Sequence, residues 1–168
     1  MSDGTKLRLA GRVRESIVDG PGIRYVVFTQ GCPHACPGCH NPRTWPPDGG
    51  EEKGIDELIE EVARDGLLRG VTLSGGEPFL QAAPLAVLAR AVRSMGLDVW
   101  VYTGYTWEEI KRADKPQWNA LLECTDVLVD GRFLEGEKSY GLRFRGSANQ
   151  RLIDVPASLR ENKPVIWE

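Results

Sequence analysis

The apolar residues of the chain fall into short runs that are typical of buried strands. A segment of alternating apolar and polar residues, LRLAGRV (7–13), predicts an edge strand beside IRYVVFTQ (23–30). Runs rich in β-branched and aromatic residues predict the other strands, at 23–30, 70–74, 98–103, 125–130 and 151–155.

Segments with a helical period lie between these runs. Apolar residues at 55, 58, 59 and 62 predict a helix over 55–68. Similar patterns predict helices over 82–95, 107–113 and 116–123, and a helical turn after 155. Residues 41–54 are rich in Pro and Gly and are predicted to be irregular. Strands that alternate with helices favour βαβ units, so we expect an α/β fold with a mostly parallel sheet and a single domain over residues 1–168.

Four segments of unusual composition each follow a predicted strand. They cover residues 31–40, 75–78, 104–105 and 131. The carboxyl ends of parallel strands meet at one edge of a sheet, where ligands bind in folds of this class. We therefore expect these four segments to form one site.

Composition narrows the classes of protein to which the chain can belong. The 168 residues carry a net charge of −3, so we expect neither a nucleic-acid partner nor a membrane-surface partner. The first 20 residues lack the apolar region of a signal peptide, and no apolar run approaches the roughly 20 residues that span a bilayer. We expect a cytoplasmic protein with reduced thiols.

The segment GCPHACPGCH (31–40) holds three of the four cysteines, and the fourth, Cys124, is distant in sequence. A structural zinc site needs four ligands, and His34 or Cys124 could complete one. Thiolates are also the usual ligands of a 4Fe-4S cluster, and three of them leave one iron open to a small molecule. An electron carrier would need a fourth protein ligand, and the sequence has no obvious one.

Several motifs around this segment point to a known family. The spacing C-x3-C-x2-C of Cys32, Cys36 and Cys39, followed by SGGEP (74–78), resembles the radical S-adenosylmethionine (SAM) superfamily. The segments at 16–32 and 39–45 resemble its glycyl-radical-enzyme activating branch. TGYTWEE (103–109) and FRGSANQRLIDV (144–155) are similar to the group that activates anaerobic ribonucleoside-triphosphate reductase.

The resemblance implies a fold, an activity and partners. The fold would be a partial (β/α)6-type barrel, since the chain is shorter than the roughly 250 residues of a full eightfold barrel. A 4Fe-4S cluster would reductively cleave SAM, and the resulting radical would abstract a hydrogen atom from a glycine of the partner reductase. A flavodoxin or ferredoxin would supply the electron. The alternatives are an activase of another glycyl-radical enzyme, a radical SAM enzyme that acts on a small molecule, and a non-catalytic zinc-binding module.

The resemblance also assigns roles to residues. Cys32, Cys36 and Cys39 would be the metal ligands and the catalytic centre. The residues that would contact the cofactors are Gly38, Cys39, His40, Gly75, Gly76, Glu77 and Thr103. Two positions depart from the pattern, because Gly38 and Tyr102 replace an aromatic and an acidic residue found in some relatives.

Two further segments have an open interpretation. The basic and aromatic segment 131–151 is either a solvated face or a rim over the site, and Arg145, Asn149 and Arg151 are candidates there for contacts with SAM or the partner. The turn at 19–22 is either a tight turn fixed by Pro and Gly or a surface near the glycine of the partner.

Overall fold

A computed structural model describes residues 5–139 and 141–168 of the chain. The strands are β1 (Lys6–Ser16), β2 (Arg24–Thr29), β3 (Glu51–Gly54), β4 (Gly70–Gly75), β5 (Asp98–Tyr102), β6 (Val127–Asp130) and β7 (Arg151–Asp154). The α-helices are α1 (Ile55–Arg64), α2 (Ala82–Ser94), α3 (Trp107–Ala113), α4 (Pro116–Glu123) and α5 (Val155–Glu161). Short 3₁₀ helices cover Pro42–Thr44, Pro78–Gln81 and Glu135–Glu137.

The strands form one sheet in the order β3-β1-β2-β4-β5-β6-β7. Its four central strands, from β2 to β6, are parallel to one another, and β1, β3 and β7 pair antiparallel at the flanks. The predicted α/β class with a mostly parallel central sheet is confirmed. The sheet has seven strands instead of about six, and the single domain stays a prediction.

The additional strand lies in the segment that was predicted to be irregular. β3 pairs with β1 from Lys6 opposite Gly54 to Leu9 opposite Glu51. Only the first part of β1, Lys6–Leu9, therefore lies inside the sheet, and the predicted pairing of β1 with β2 is correct. The sequence EEKG has no β-branched or aromatic residue, so its own composition gives no sign of the strand that pairing with β1 produces.

The helices pack on one face of the sheet. Alternate strand residues such as Val27, Leu73 and Val101 join residues of all five helices in the main core. The residues between them face the other side, where Trp100, Val127 and Val129 pack against Phe144 and Trp167. Within the described residues, no helix is both long and apolar enough to cross a bilayer.

Helix α1 ends earlier than the apolar pattern predicts. Its apolar positions extend the prediction to residue 68, but Asp65 has an extended backbone (φ −102°, ψ 99°). The Asp65 side chain accepts a hydrogen bond from the amide of Leu67 at 2.9 Å, which stabilises a turn in place of a further helical turn. The strand β4 then starts close to the end of this helix.

The turn at 19–22 encloses the buried side chain of Arg24. The guanidinium donates to Thr72, to Asp98 at 2.5 Å, and to the carbonyl oxygens of Pro21 and Val71. This turn precedes β2, so it lies at the opposite end of that strand from the cysteine segment. The Pro and Gly residues of the turn are explained structurally, because the turn has to fold closely around the Arg24 guanidinium.

Candidate functional site

A pocket lies at the carboxyl edge of the parallel strands, where the four segments converge as expected. The loop after β2 contributes the thiols. The glycine turn after β4, the end of β5 and the loop after β6 contribute the rest of the lining. Its lining residues are Cys32, His34, Cys36, Cys39, Ser74, Gly75, Gly76, Tyr102, Thr103, Gly104, Val129, Gly131, Phe133 and Gln150. The topology of the sheet thus brings together residues that are about 100 positions apart in the chain.

The three clustered cysteines are free thiols and are partly exposed at this pocket. The amide of Cys32 donates to the carbonyl of Trp45 at 3.1 Å, and the amide of Cys39 donates to the carbonyl of Cys36 at 3.1 Å. Burial raises the pKa of the Cys32 thiol above its ordinary value. Since metals bind the thiolate, a metal ion bound by this residue would displace its proton.

The fourth cysteine is not part of the site. Cys124 lies at the end of α4, is 8% exposed and packs in the main core. His34, the other residue that could have completed a zinc site, uses Nε2 in a 2.6 Å hydrogen bond with Glu77. Neither residue joins the three thiols as a fourth ligand in this arrangement.

The glycine turn after β4 lies directly against the end of β2. The amide of Gly76 donates to Thr29 and the amide of Glu77 donates to Gly31, both at 2.8 Å. A Cβ atom added to Gly75, which has φ 98°, would lie 2.4 Å from the amide nitrogen of Thr29. Glycine is therefore required here for the close approach of the turn to the start of the cysteine loop.

Glu77 is fully buried and accepts four hydrogen bonds. Oε1 accepts from the Gly104 amide at 2.8 Å and faces His34 Nε2 at 2.6 Å. Oε2 accepts from the Thr103 hydroxyl at 2.7 Å and from the Phe79 amide at 3.0 Å. Both carboxylate oxygens are used within the protein, and the side chain joins the loops that follow β2, β4 and β5.

Thr103 is buried at the end of β5 and contributes to the same network. Its hydroxyl donates to Glu77 and accepts from the amide of Tyr105 at 3.1 Å. Next to it, Tyr102 lines the pocket, and burial raises the pKa of its phenol. The strand end is thus fixed by the buried carboxylate.

The residues that flank the last cysteine lie on the outer side of the loop. Gly38 and His40 are exposed, and the His40 ring lies 5.5 Å from the Phe133 ring, centroid to centroid. A Cβ atom on Gly38 would lie 2.9 Å from the carboxyl carbon of Glu135. Segment 131–151 therefore approaches the cysteine loop through Phe133 and Glu135.

Segment 131–151 is only partly described, because Tyr140 lies outside the described residues. Arg151 bridges Asp130 at 2.6 Å and Glu108 at 2.7 Å, so its guanidinium is held within the protein. Asn149 donates to the carbonyl of Arg132, and Arg145 donates to the carbonyl of Gln150.

Two buried polar atoms of this segment lack a hydrogen-bond partner among the described residues. They are Nε of Arg145 and Oδ1 of Asn149. Gln150, which lines the pocket, was not singled out from the sequence. The side-chain amide of Gln150 donates to the carbonyl of Gly131 and accepts from the backbone amide of Gly146. No motif in the sequence predicts these contacts.

The residues at the pocket fit a cluster held by three thiolates. Three thiols from one loop share the pocket with a glycine turn that leaves backbone groups accessible. Soft thiolate ligands select iron–sulfur clusters and zinc, and the described lining of the pocket offers no fourth thiol, which favours a site with one open position.

Comparison with known proteins gives one family match. The family described as "4Fe-4S single cluster domain" matches residues 18–153, which is more than half of the chain. The match includes the cysteine loop, the glycine turn and the strands that support them.

Several known proteins are similar in sequence. An anaerobic ribonucleoside-triphosphate reductase-activating protein of Vibrio cholerae is 39% identical over 142 residues, which cover 80% of this chain and 89% of that protein. The protein of the same name from Escherichia coli K12 is 37% identical, with 80% and 90% covered. A pyruvate formate-lyase-activating enzyme of Staphylococcus aureus is 32% identical, with 89% of this chain and 62% of that enzyme covered.

Among solved structures, QueE from Escherichia coli is similar over part of its length. It is 19% identical, with a TM-score of 0.47, and the match covers 60% of this chain and 54% of that one.

Proposed function

Since the chain belongs to the 4Fe-4S single cluster domain family and to the anaerobic ribonucleoside-triphosphate reductase-activating proteins, we propose that it is the activase that installs a glycyl radical in such a reductase. The family resemblance inferred from the cysteine and glycine motifs is thereby confirmed. The single observation that carries the proposal is the meeting of the three thiols and the glycine turn at one pocket.

Cys32, Cys36 and Cys39 are the proposed cluster ligands. When bound together, the cluster and SAM supply reductive cleavage of SAM and removal of a hydrogen atom from a glycine of the partner. The half-buried position of the three thiols leaves one side of the loop open to the pocket, where SAM would lie. No other described residue of the pocket is a thiol.

Gly75 and Gly76 are proposed to contact SAM through their backbone, because both line the pocket and lack side chains that would obstruct it. The ammonium group of SAM needs acceptors, which backbone carbonyls provide. Glu77 and Thr103 contribute in a different way, because their side-chain oxygens are already bound within the protein. We assign both of them to holding the SAM-binding loops in place.

Gly38 and His40 are proposed to lie at the outer edge of the cofactor site. Their exposure leaves them accessible to SAM or to the incoming partner. The proposed partner is the anaerobic reductase, and the proposed electron donor is a flavodoxin or ferredoxin in the cytoplasm. A site that acts on a glycine in another protein has to be open, which agrees with the partial exposure of the three thiols.

The first test is cleavage of SAM under anaerobic conditions. We expect the protein, loaded with iron and sulfide and reduced with dithionite, to convert SAM to 5′-deoxyadenosine, which is measured by mass spectrometry. Cys36→Ala should abolish the product, because the cluster then lacks one of its three ligands. Cys124→Ala is the matched control, since this buried cysteine lies outside the pocket, and it should retain the product.

The partner is tested in the same preparation. Addition of an anaerobic ribonucleoside-triphosphate reductase should produce a glycyl-radical signal in electron paramagnetic resonance spectra. A pyruvate formate-lyase in its place tests the second candidate function, which the 32% identical relative supports. A fully loaded protein that yields neither 5′-deoxyadenosine nor a radical with either partner would refute the proposal, and zinc without sulfide would favour the structural module.

A further inference from the structure

His34 occupies a slot formed by three other residues at the carboxyl edge of the sheet. Its Nε2 lies 2.6 Å from Glu77 Oε1, and its ring lies edge-on to Tyr105 with centroids 4.6 Å apart. A Cβ atom on Gly104 would lie 2.4 Å from Cδ2 of His34. The His34 side chain is only 4% exposed, although the residue belongs to an exposed loop.

The backbone around His34 shows that the loop is held in an unfavourable conformation. The next residue, Ala35, has φ 48°, which is in the left-handed region that side chains other than glycine rarely adopt. Pro33 and Pro37 remove two amide donors from the loop, so few backbone hydrogen bonds are available to hold it. A contact made by a side chain has to supply the missing restraint.

We infer that His34 is the positioning residue that fixes the cysteine loop against the buried carboxylate of Glu77, so that the loop is held at the pocket before any cluster binds. Because a carboxylate only accepts hydrogen bonds, the His34 hydrogen lies on Nε2. The same oxygen accepts from the Gly104 amide, so one atom connects the loops after β2 and β5. The inference rests on the proposed function only in naming these thiols as cluster ligands.

The test is amide hydrogen exchange of the metal-free, reduced protein. His34→Ala should raise the exchange rate of the hydrogen-bonded amides in residues 31–40, those of Gly31, Cys32 and Cys39, about tenfold, because loss of a hydrogen bond to a buried carboxylate opens the loop. Gly104→Ala should have the same effect with His34 intact, since the added methyl group fills the slot. His34→Gln should stay within about twofold of the natural protein, because its amide nitrogen takes the place of Nε2.

A control variant separates local loosening from general destabilisation. Tyr25→Phe removes a 2.6 Å hydrogen bond to Glu61 at a position outside the pocket, and it should leave the exchange of residues 31–40 unchanged. Iron and sulfide bound after a short, matched reconstitution provide a second measurement. We expect loading to fall severalfold in His34→Ala and to recover in His34→Gln.

Three results would overturn the inference. They are unchanged exchange of residues 31–40 in His34→Ala, equal acceleration throughout α2 and the central strands, and failure of His34→Gln to restore protection. Because the exchange experiment contains neither cluster nor SAM, its outcome does not depend on whether the protein cleaves SAM. Failure of the proposed function would be seen only in the 5′-deoxyadenosine assay.

Discussion

At the scale of single residues, the site depends on a carboxylate that does not face the pocket. Glu77 belongs to the GGEP motif, and its sequence neighbours suggest direct contact with the cofactor. The structure gives its two oxygens four donors from three loops. The motif was recognisable from the sequence. The contacts were not, because they depend on the folding of two loops that lie 27 and 43 residues from Glu77 in the chain.

Replacement of this carboxylate by an amide should destabilise the protein. Glu77→Gln places an NH2 group opposite two donors, which leaves buried groups unsatisfied at a cost of about 2 kcal/mol. The measurement is urea unfolding of the metal-free protein, compared with Glu52→Gln on the exposed edge strand, which should change stability by less than about 0.5 kcal/mol. Equal effects of the two substitutions would contradict the assigned network.

At the scale of elements, the strands were largely predictable because their composition follows burial. The pattern at 23–30 corresponds to β2, and those at 70–74 and 98–103 correspond to β4 and β5. β3 was not predictable, since its four residues form a strand only through pairing with β1. Another link between elements joins β1, β2 and α1, where Glu61 accepts from Arg12 at 2.6 and 2.9 Å and from the Tyr25 hydroxyl at 2.6 Å.

This link should make stability depend on pH in the acidic range. Hydrogen bonding to Arg12 holds the pKa of Glu61 below its ordinary value of 4.5. A depressed pKa contributes stability that is present above the unfolded-state value and is lost as the pH falls through the folded-state value. In urea unfolding, the stability difference between the natural protein and Glu61→Gln should therefore shrink between about pH 7 and about pH 3.

The neighbouring carboxylate of α1 serves as the control. Glu60 is exposed and pairs with Arg64 at 3.4 Å, so Glu60→Gln should cost less than Glu61→Gln at about pH 7. If Glu61→Gln is less stable than the natural protein by the same amount at both pH values, ionisation of the Glu61 carboxyl does not contribute to stability.

At the scale of the whole molecule, the two ends of the parallel strands have separate roles. The carboxyl ends carry the thiols and the glycine turn, and the amino ends are joined by the buried Arg24. The convergence of four loops at one edge was predictable, because parallel topology alone requires it. The Arg24 contacts were not predictable, since nothing in the order of residues indicates that the turn at 19–22 would enclose this side chain.

The buried cation should support the fold more strongly than its exposed neighbour. Arg24 and Arg69 both approach Asp98, at 2.5 and 3.8 Å, but their side chains are 0% and 60% exposed. Arg24→Met should cost about 2 to 4 kcal/mol, because it leaves buried acceptors of two strands without their donor. Arg69→Met should cost less than about 1 kcal/mol. Thermal or urea unfolding of the two variants makes the comparison, and equal losses would refute it.

The short strand β3 has a consequence for the behaviour of the protein in solution. An open sheet ends in strands whose unpaired backbone groups can recruit strands of other molecules. β3 is four residues long, with exposed Glu51 and Glu52 and a half-exposed Lys53. Such a short, charged edge is a poor template for intermolecular pairing. The same segment, which the hydrophobic pattern does not predict, thus covers the first part of β1 and shields it from pairing with other molecules.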